Sequence, residues 1–493
     1  MARSDLHTRV VAVLVAVTVA VFSVGCAKEA KRDDAVPADG GSTTTDVPHN
    51  SDSAALDATA AGIGDPYYPE LGNGGYDVQH YDLDLTWDPG SSGTVAGRTT
   101  IKAKSTEKLE SFHLDLLGMQ VEEVTVDGES AENRRDGIHE LVITPAEAIP
   151  DHHSFTVEVT YRGVPRIVDD ALIPGLGGWI TNNRQVYVAS EPDGAASFFP
   201  VNDHPSDKAT YDIHITAPAD LSVVANGTHT GTTDNPDGTR SWSFEMPQPM
   251  ASYLVQIVIA NLRIEESASP AGVPIRHAID EDVLATGEAS MEGTGDMIDF
   301  FAEKFGPYPF DVYGGVVIDE PIPFALETQT LTLFPAETDS LTVAHELSHQ
   351  WFGDDVSPAT WKDIWLNEGF ATYSSWLWAD HAGDASVDDI IAYETDNAGP
   401  MDVPPVDPGA DDLFNYGSVY VRGALTLHVL RHKIGDDDFF ELLQTWVERY
   451  GGGSASTQDF EDLAEEVSGD DLTALFDAWL RSDDEPSLDD WLG

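Results

Sequence analysis

Five consecutive residues can do chemistry together: His345-Glu346-Leu347-Ser348-His349. On a helix, positions four apart share a face, so two imidazoles at that spacing can hold one cation. Glu346 lies about 100° around from His345, beside the open side of such a cation, where it can accept a proton from activated water. Chance yields such a pentapeptide in roughly one chain in twenty-five of this length, so further residues must support it. A catalytic zinc takes a third protein ligand. Glu368 stands nineteen residues after His349, in Trp365-Leu366-Asn367-Glu368-Gly369-Phe370. Trp351, Phe352, Trp361 and Trp365 supply apolar packing around the same stretch. The competing reading is a buried helix with two surface histidines.

His345 to Asp354 (HELSHQWFGD), followed by Trp361 to Tyr373 (WKDIWLNEGFATY), resembles the zinc signature of the aminopeptidase N family of zinc metallopeptidases. These gluzincins also include leukotriene hydrolase. The resemblance runs from about Tyr67 to Gly493. It implies an α+β fold, with an N-terminal antiparallel β saddle domain followed by a thermolysin-like, mostly helical catalytic domain. It also implies one Zn2+ per chain on His345, His349 and Glu368, with Glu346 as the general base.

Removing single N-terminal residues requires carboxylates that capture the substrate's ammonium group at a fixed distance from the metal. Phe324-Ala325-Leu326-Glu327-Thr328 resembles the family's Gly-Ala-Met-Glu-Asn strand, whose Glu binds that amine. The resemblance gives Glu327 this role and pairs the backbone at Ala325 with substrate; without it, a strand Glu is usually a surface residue. Ser190-Glu191-Pro192-Asp193, followed by Phe199 to Pro205, resembles a second family block. That makes Glu191 a second amine ligand, supplied by the β domain, with turn capping as the alternative. Ala189, Ala196 and Ser375 stand where relatives commonly carry Gln, Arg and Glu. Tyr420-Val421-Arg422-Gly423 resembles the family's Tyr-x-Lys-Gly segment, whose Tyr donates its hydroxyl to the developing oxyanion. Tyr416, or a purely structural tyrosine, is the alternative.

The implied activity is a zinc-dependent aminopeptidase acting on peptides with a free N-terminus. A thermolysin-type endopeptidase is one rival, distinguished by its tolerance of blocked N-termini. A non-catalytic scaffold of the same fold is another, opposed by the intact ligand set. The sequence ends 125 residues after Glu368, so the cleft is expected to be open or roofed by a partner chain. Side-chain preference and oligomeric state are left open.

The elements that must position these groups are patterned along the rest of the chain. Tyr81, Leu83, Leu85 and Trp87 alternate with polar residues, the period of a half-buried strand. Phe155-Val157-Val159-Tyr161 and Tyr211-Ile213-Ile215 repeat it, Val255 to Ile264 reads as another strand, and Asp127-Gly128 and Asp237-Gly238 mark turns. A mostly antiparallel β domain is expected at 66–262 and the peptidase domain at 263–493. Met297, Phe300, Phe301 and Phe305 then fall at helical spacing, and further helices are predicted at about 340–352, 366–380, 417–434, 437–450, 457–467 and 470–481.

At the other end, Arg3 and Arg9 precede an apolar run, Val10 to Val24, that leads into Gly25-Cys26. The run is short for a membrane span and fits a signal peptide over 1–25. The small residues before Cys26 resemble a bacterial lipoprotein cleavage site. Cys26 is the only cysteine, so it has no disulfide partner and forms no thiolate metal site. The expectation is lipidation at Cys26 and a disordered tether over 26–65. The protein would then be exported and anchored on the outer side of the cytoplasmic membrane or in the cell envelope; plain secretion or an uncleaved anchor are the alternatives. Asp and Glu number 87 against 25 Lys and Arg, a net charge of −62, which argues against nucleic-acid partners. A solvated surface explains that charge, and so does adaptation to high salt, where screening removes self-repulsion.

Overall fold

The computed structural model describes residues 62–492, apart from positions 92, 169–172, 174–176 and 183. The signal segment, Cys26 and nearly all of the tether lie outside the described residues. Strands dominate as far as Asp280 and helices thereafter, the α+β arrangement expected. Among the described residues no helix is long and apolar enough to cross a membrane.

Among the described residues the largest sheet has eight strands and is built on Tyr76–Asp88. This strand pairs antiparallel with Thr94–Ser105 and parallel with Ala209–Pro218, a single parallel seam in an otherwise antiparallel sheet. Alternation is the cause of its one-sided burial: Tyr81, Leu83, Leu85 and Trp87 are buried against the core. Register places Tyr81 opposite Tyr211, and their rings stack at 5.0 Å. Asp127 and Gly128 both adopt positive φ, which gives the tight two-residue turn joining Gln120–Val126 to Glu129–Ser130.

The stretch from Val255 to Ile264 is two strands rather than one. Ile257–Ala260 lies in a four-stranded sheet with Ser222–Ala225 and Gln185–Ala189, whereas Leu262–Ala268 starts a different sheet with Pro274–Asp280. Ile257 to Ala260 are all buried, while beyond the exposed Asn261 the residues turn mostly outward. A hydropathy run spans that change of partner without registering it.

The second sheet continues through Gly315–Ile318 to Thr332–Pro335. Leu326 bridges to Leu333 on that last strand, which fixes the segment carrying Ala325 and Glu327. Helices Ser340–Ser348 and Trp365–Ala382 follow, and the latter packs against Gly423–Ile434. At that contact a Cβ on Gly369 would stand 2.9 Å from the Cα of Gly423, and the converse also holds. Only glycine at both positions lets the two backbones come so close, which brings Glu368 and Tyr420 toward one another. A helix at Val387–Asn397, absent from the sequence expectation, buries only Ile390, Ile391 and Glu394. Its apolar stripe is too thin to stand out from the surrounding acidic sequence.

Candidate metal centre and amine-binding carboxylates

Helix Ser340–Ser348 begins at Asp339, whose side chain accepts from the backbone of Leu341 and Thr342. His345, Glu346 and His349 occupy its far end, and Glu368 sits in the first turn of Trp365–Ala382, where the helix dipole favours its negative charge. His345 Nε2 lies 3.2 Å and His349 Nε2 3.6 Å from Glu368 Oε2. Two ligands about 2.0–2.1 Å from one tetrahedral zinc stand about 3.3 Å apart, so these donors fit a shared ion. His349 Nδ1 lies 3.1 Å from the carbonyl of Phe352; donating there leaves Nε2 to face Glu368. Trp351, Phe352, Trp361 and Trp365 are all buried.

Glu191 and Glu327 arrive from different parts of the chain. Glu191 follows strand Gln185–Ala189, and Glu327 sits beside strand Thr332–Pro335. Glu191, Glu327 and Glu368 nevertheless offer oxygen atoms within 4.8 Å of one another, as do the donor atoms of Glu327, Glu346 and His349. Glu191 Oε1, Glu327 Oε1 and Glu346 Oε2 are buried without a hydrogen-bond partner among the described residues. Buried carboxylates without partners are costly unless a cation joins them, so the donor set and its surroundings both suit a divalent metal and an ammonium group.

The electrostatics follow from that crowding. Burial, then repulsion from Glu327, Glu368, Glu346 and Asp354, pushes the Glu191 carboxyl well above its ordinary range. Burial also lifts Glu327 and Glu346, with the neighbouring His349 opposing it in both. Burial disfavours charge on His349, but Glu327 and Glu368 outweigh it and raise the ring to about 10. For Glu368 burial is again opposed, here by His349 and by hydrogen bonds from both imidazoles, and the carboxyl falls to about 2.

Tyr420 lies in a π-helical turn, Tyr416–Arg422, a local widening often found at functional sites. Its ring is parallel to that of His345, at 12° and 6.0 Å between centroids. No hydrogen bond engages its hydroxyl among the described residues, and burial beside the carboxylates keeps it protonated. Tyr416 differs: its hydroxyl donates to Glu394 Oε2 at 3.2 Å. The same cavity, about 740 Å³, is lined by Glu191, Ala325, Glu327, Glu346 and Tyr420. Ala325 has no backbone hydrogen bond among the described residues, which leaves its edge open to an extended peptide.

Sequence reasoning missed Gln350. Its Nε2 donates to the carbonyl of Glu327 at 3.0 Å and to Asp354 at 2.7 Å, while its Oε1 accepts from the backbone of Thr330 at 2.8 Å. This one side chain locks the Glu327 segment to the His349 turn. Its adjacency to His349 was the only signal in the sequence.

Residues 77–254 match the Peptidase M1 N-terminal domain, and residues 289–479 match the Peptidase family M1 domain. Aminopeptidase N of Streptomyces lividans is 27% identical over 452 residues, covering 82% of this chain and 50% of that protein. Human glutamyl aminopeptidase is 29% identical over 339 residues, covering 62% of this chain and 35% of that protein. The chain thus spans half or less of the length of these two relatives. A crystal structure of a mutant M1 zinc metallopeptidase from Deinococcus radiodurans, bound to a Tyr-Ser-Ala substrate, is similar at a TM-score of 0.81 and 31% identity. That likeness covers 87% of this chain and 99% of the other. Similar over nearly the whole of that enzyme and matched in both of its parts, the chain belongs to peptidase family M1, the zinc metallopeptidases.

Proposed function

We propose that this protein is a zinc-dependent aminopeptidase that hydrolyses residues from the free N-termini of peptides. The observation that carries the reading is the meeting of Glu191 and Glu327 beside Glu368, with oxygen atoms within 4.8 Å of one another. An endopeptidase has no use for two buried carboxylates beside its metal, whereas a substrate ammonium group satisfies both.

His345, His349 and Glu368 would hold the zinc, which when bound supplies Lewis acidity and a nucleophilic water at neutral pH. The chain's own residues do the rest. Glu191 and Glu327 grip the ammonium group and so set the cleavage point one residue in. The open backbone at Ala325 aligns the peptide as an added strand. Glu346, with one oxygen unpartnered, takes the proton from the attacking water and returns it to the leaving amine. Tyr420 donates its hydroxyl to the scissile carbonyl oxygen as negative charge develops there.

The test is hydrolysis of aminoacyl amides beside their N-acetylated counterparts, with and without chelator, and with E346A as the control. Chelator-sensitive cleavage of the free amines alone supports the reading. Equal cleavage of blocked peptides would identify an endopeptidase, and no cleavage at all a scaffold. Export and lipid anchoring at Cys26 belong to the same proposal, supported by the apolar run before it. Membrane retention of a C26S variant in cells would overturn the anchor.

A further inference from the structure

Beyond the metal centre the cavity keeps its negative character. Its lining includes eight carboxylates: Glu191, Glu327, Glu346 and Glu368 at the centre, and Glu394, Asp402, Asp411 and Asp412 away from it. Among the described residues the lining contains no Lys or Arg. Asp402, Asp411 and Asp412 are exposed at the rim, and by themselves amount to a solvated acidic edge.

Glu394 is different. It is 2% exposed yet lines the cavity, on the helix Val387–Asn397. Tyr416 occupies Oε2, and Oε1 receives no hydrogen bond among the described residues. Thr372 lines the same cavity at 5% exposure, and its hydroxyl is buried with no partner among the described residues. Two polar groups set into a wall with bonding capacity unused await a ligand that donates hydrogen bonds.

Their placement says which part of a ligand. Thr372 is four residues after Glu368, and Tyr416 four before Tyr420, with their rings 5.8 Å apart. One helical turn spans about 5.4 Å, so this wall stands about one turn from Glu368, the proposed metal ligand, and from Tyr420, the proposed donor to the carbonyl. An aminoacyl group whose amine and carbonyl are fixed beside them has only its side chain left to extend.

We propose that Glu394 determines specificity, selecting substrates whose N-terminal residue carries a basic side chain, with the rim aspartates favouring the same charge. This rests on the aminopeptidase reading. Burial lifts the Glu394 carboxyl to about 7, where an arriving cation draws it into the charged form, and acidic side chains meet only repulsion.

The test compares kcat/KM at pH 8 for arginine and lysine amides with citrulline and norleucine amides, which keep the shape and lose the charge, and with glutamate amide. The expected result is a preference for the basic member of each pair of about ten-fold or more, with glutamate amide the poorest. In E394Q that preference shrinks to about three-fold or less. Calorimetry of free L-arginine and L-citrulline on the unmutated enzyme gives a binding readout that does not depend on how the variant folds, and tighter arginine binding is expected. Brisk hydrolysis with no preference for the basic member, or a preference unchanged in a folded E394Q, overturns the inference while the aminopeptidase reading survives. Failure to hydrolyse any amide sinks both.

Discussion

Replacing Glu191 with Gln separates amine binding from any structural duty of the buried carboxylates. An ammonium group lodged between Glu191 and Glu327 meets each at about 3–4 Å, where one ion pair contributes about 4–5 kcal/mol at an effective dielectric of about 20. Dehydration offsets part of this, so neutralising one partner should cost about 2–4 kcal/mol of transition-state binding. That corresponds to a fall in kcat/KM of about 30- to 1000-fold on a free aminoacyl amide. Stability should move the other way. Glu191 is repelled by Glu327, Glu368, Glu346 and Asp354, and its Oε1 lacks a partner, so the amide relieves repulsion and the melting temperature should hold or rise. E327Q should behave alike, and the double variant should lose less than the sum, because both carboxylates bind one ammonium. Steady-state kinetics and thermal melts of the three variants provide the assay. A kcat/KM within three-fold of the unmutated enzyme, or a loss accompanied by a melting temperature several degrees lower, refutes the reasoning.

Three further outcomes are expected. Y420F should lower kcat by about 10²–10³ if the hydroxyl is an oxyanion donor, with its melting temperature unchanged; a near-normal rate removes Tyr420 from the mechanism. Burial raises Asp203 to about 6 and Asp207 to about 7, so between pH 4 and 7 the folded protein holds protons that the unfolded chain has released. Stability therefore falls as pH rises through that window: metal-free protein should melt higher at pH 5.5 than at pH 8, and D207N should flatten the difference. With a charge of −62, the melting temperature should rise from about 0.1 M to molar salt as the Debye length shrinks from about 10 Å to about 3 Å; a flat profile would argue against high-salt adaptation.

The strands that were legible in the sequence are those with one wet face, because alternation records burial directly: Tyr81, Leu83, Leu85 and Trp87 are examples. The pairing of His345 with His349 was legible because helix geometry alone brings them together, whereas Glu368 was reached through the need for a third ligand and the family resemblance. What escaped depends on tertiary partners. Asn261 ends one strand and opens another only because two sheets diverge there. Helix Val387–Asn397 owes its place to Ile390, Ile391 and Glu394 packed on neighbours. Gln350 matters only through the four groups it bonds, three of which lie twenty or more residues upstream. Pattern reading sees none of these, since no periodicity encodes them.

The meeting of Glu191 with Glu327 explains why both parts of the chain are needed. Two carboxylates that repel each other will not stay together on flexible supports, so each must be held by a frame of its own and the frames must be tied. The ties are visible. Asp65 accepts from the backbone of Trp361 and from His204, and Asn367, beside Glu368, donates to Tyr253. Lys208 donates to the carbonyls of Asp354 and Asp355 at 2.6 and 2.8 Å. All three link the strand-rich half to the turns beside the candidate metal ligands, and Lys208 reaches the turn that Gln350 also holds. The repulsion stored at the cluster is thus opposed by contacts outside it, and under the proposed function a substrate ammonium group would release that repulsion on arrival, which would build selectivity for a free N-terminus into the resting fold.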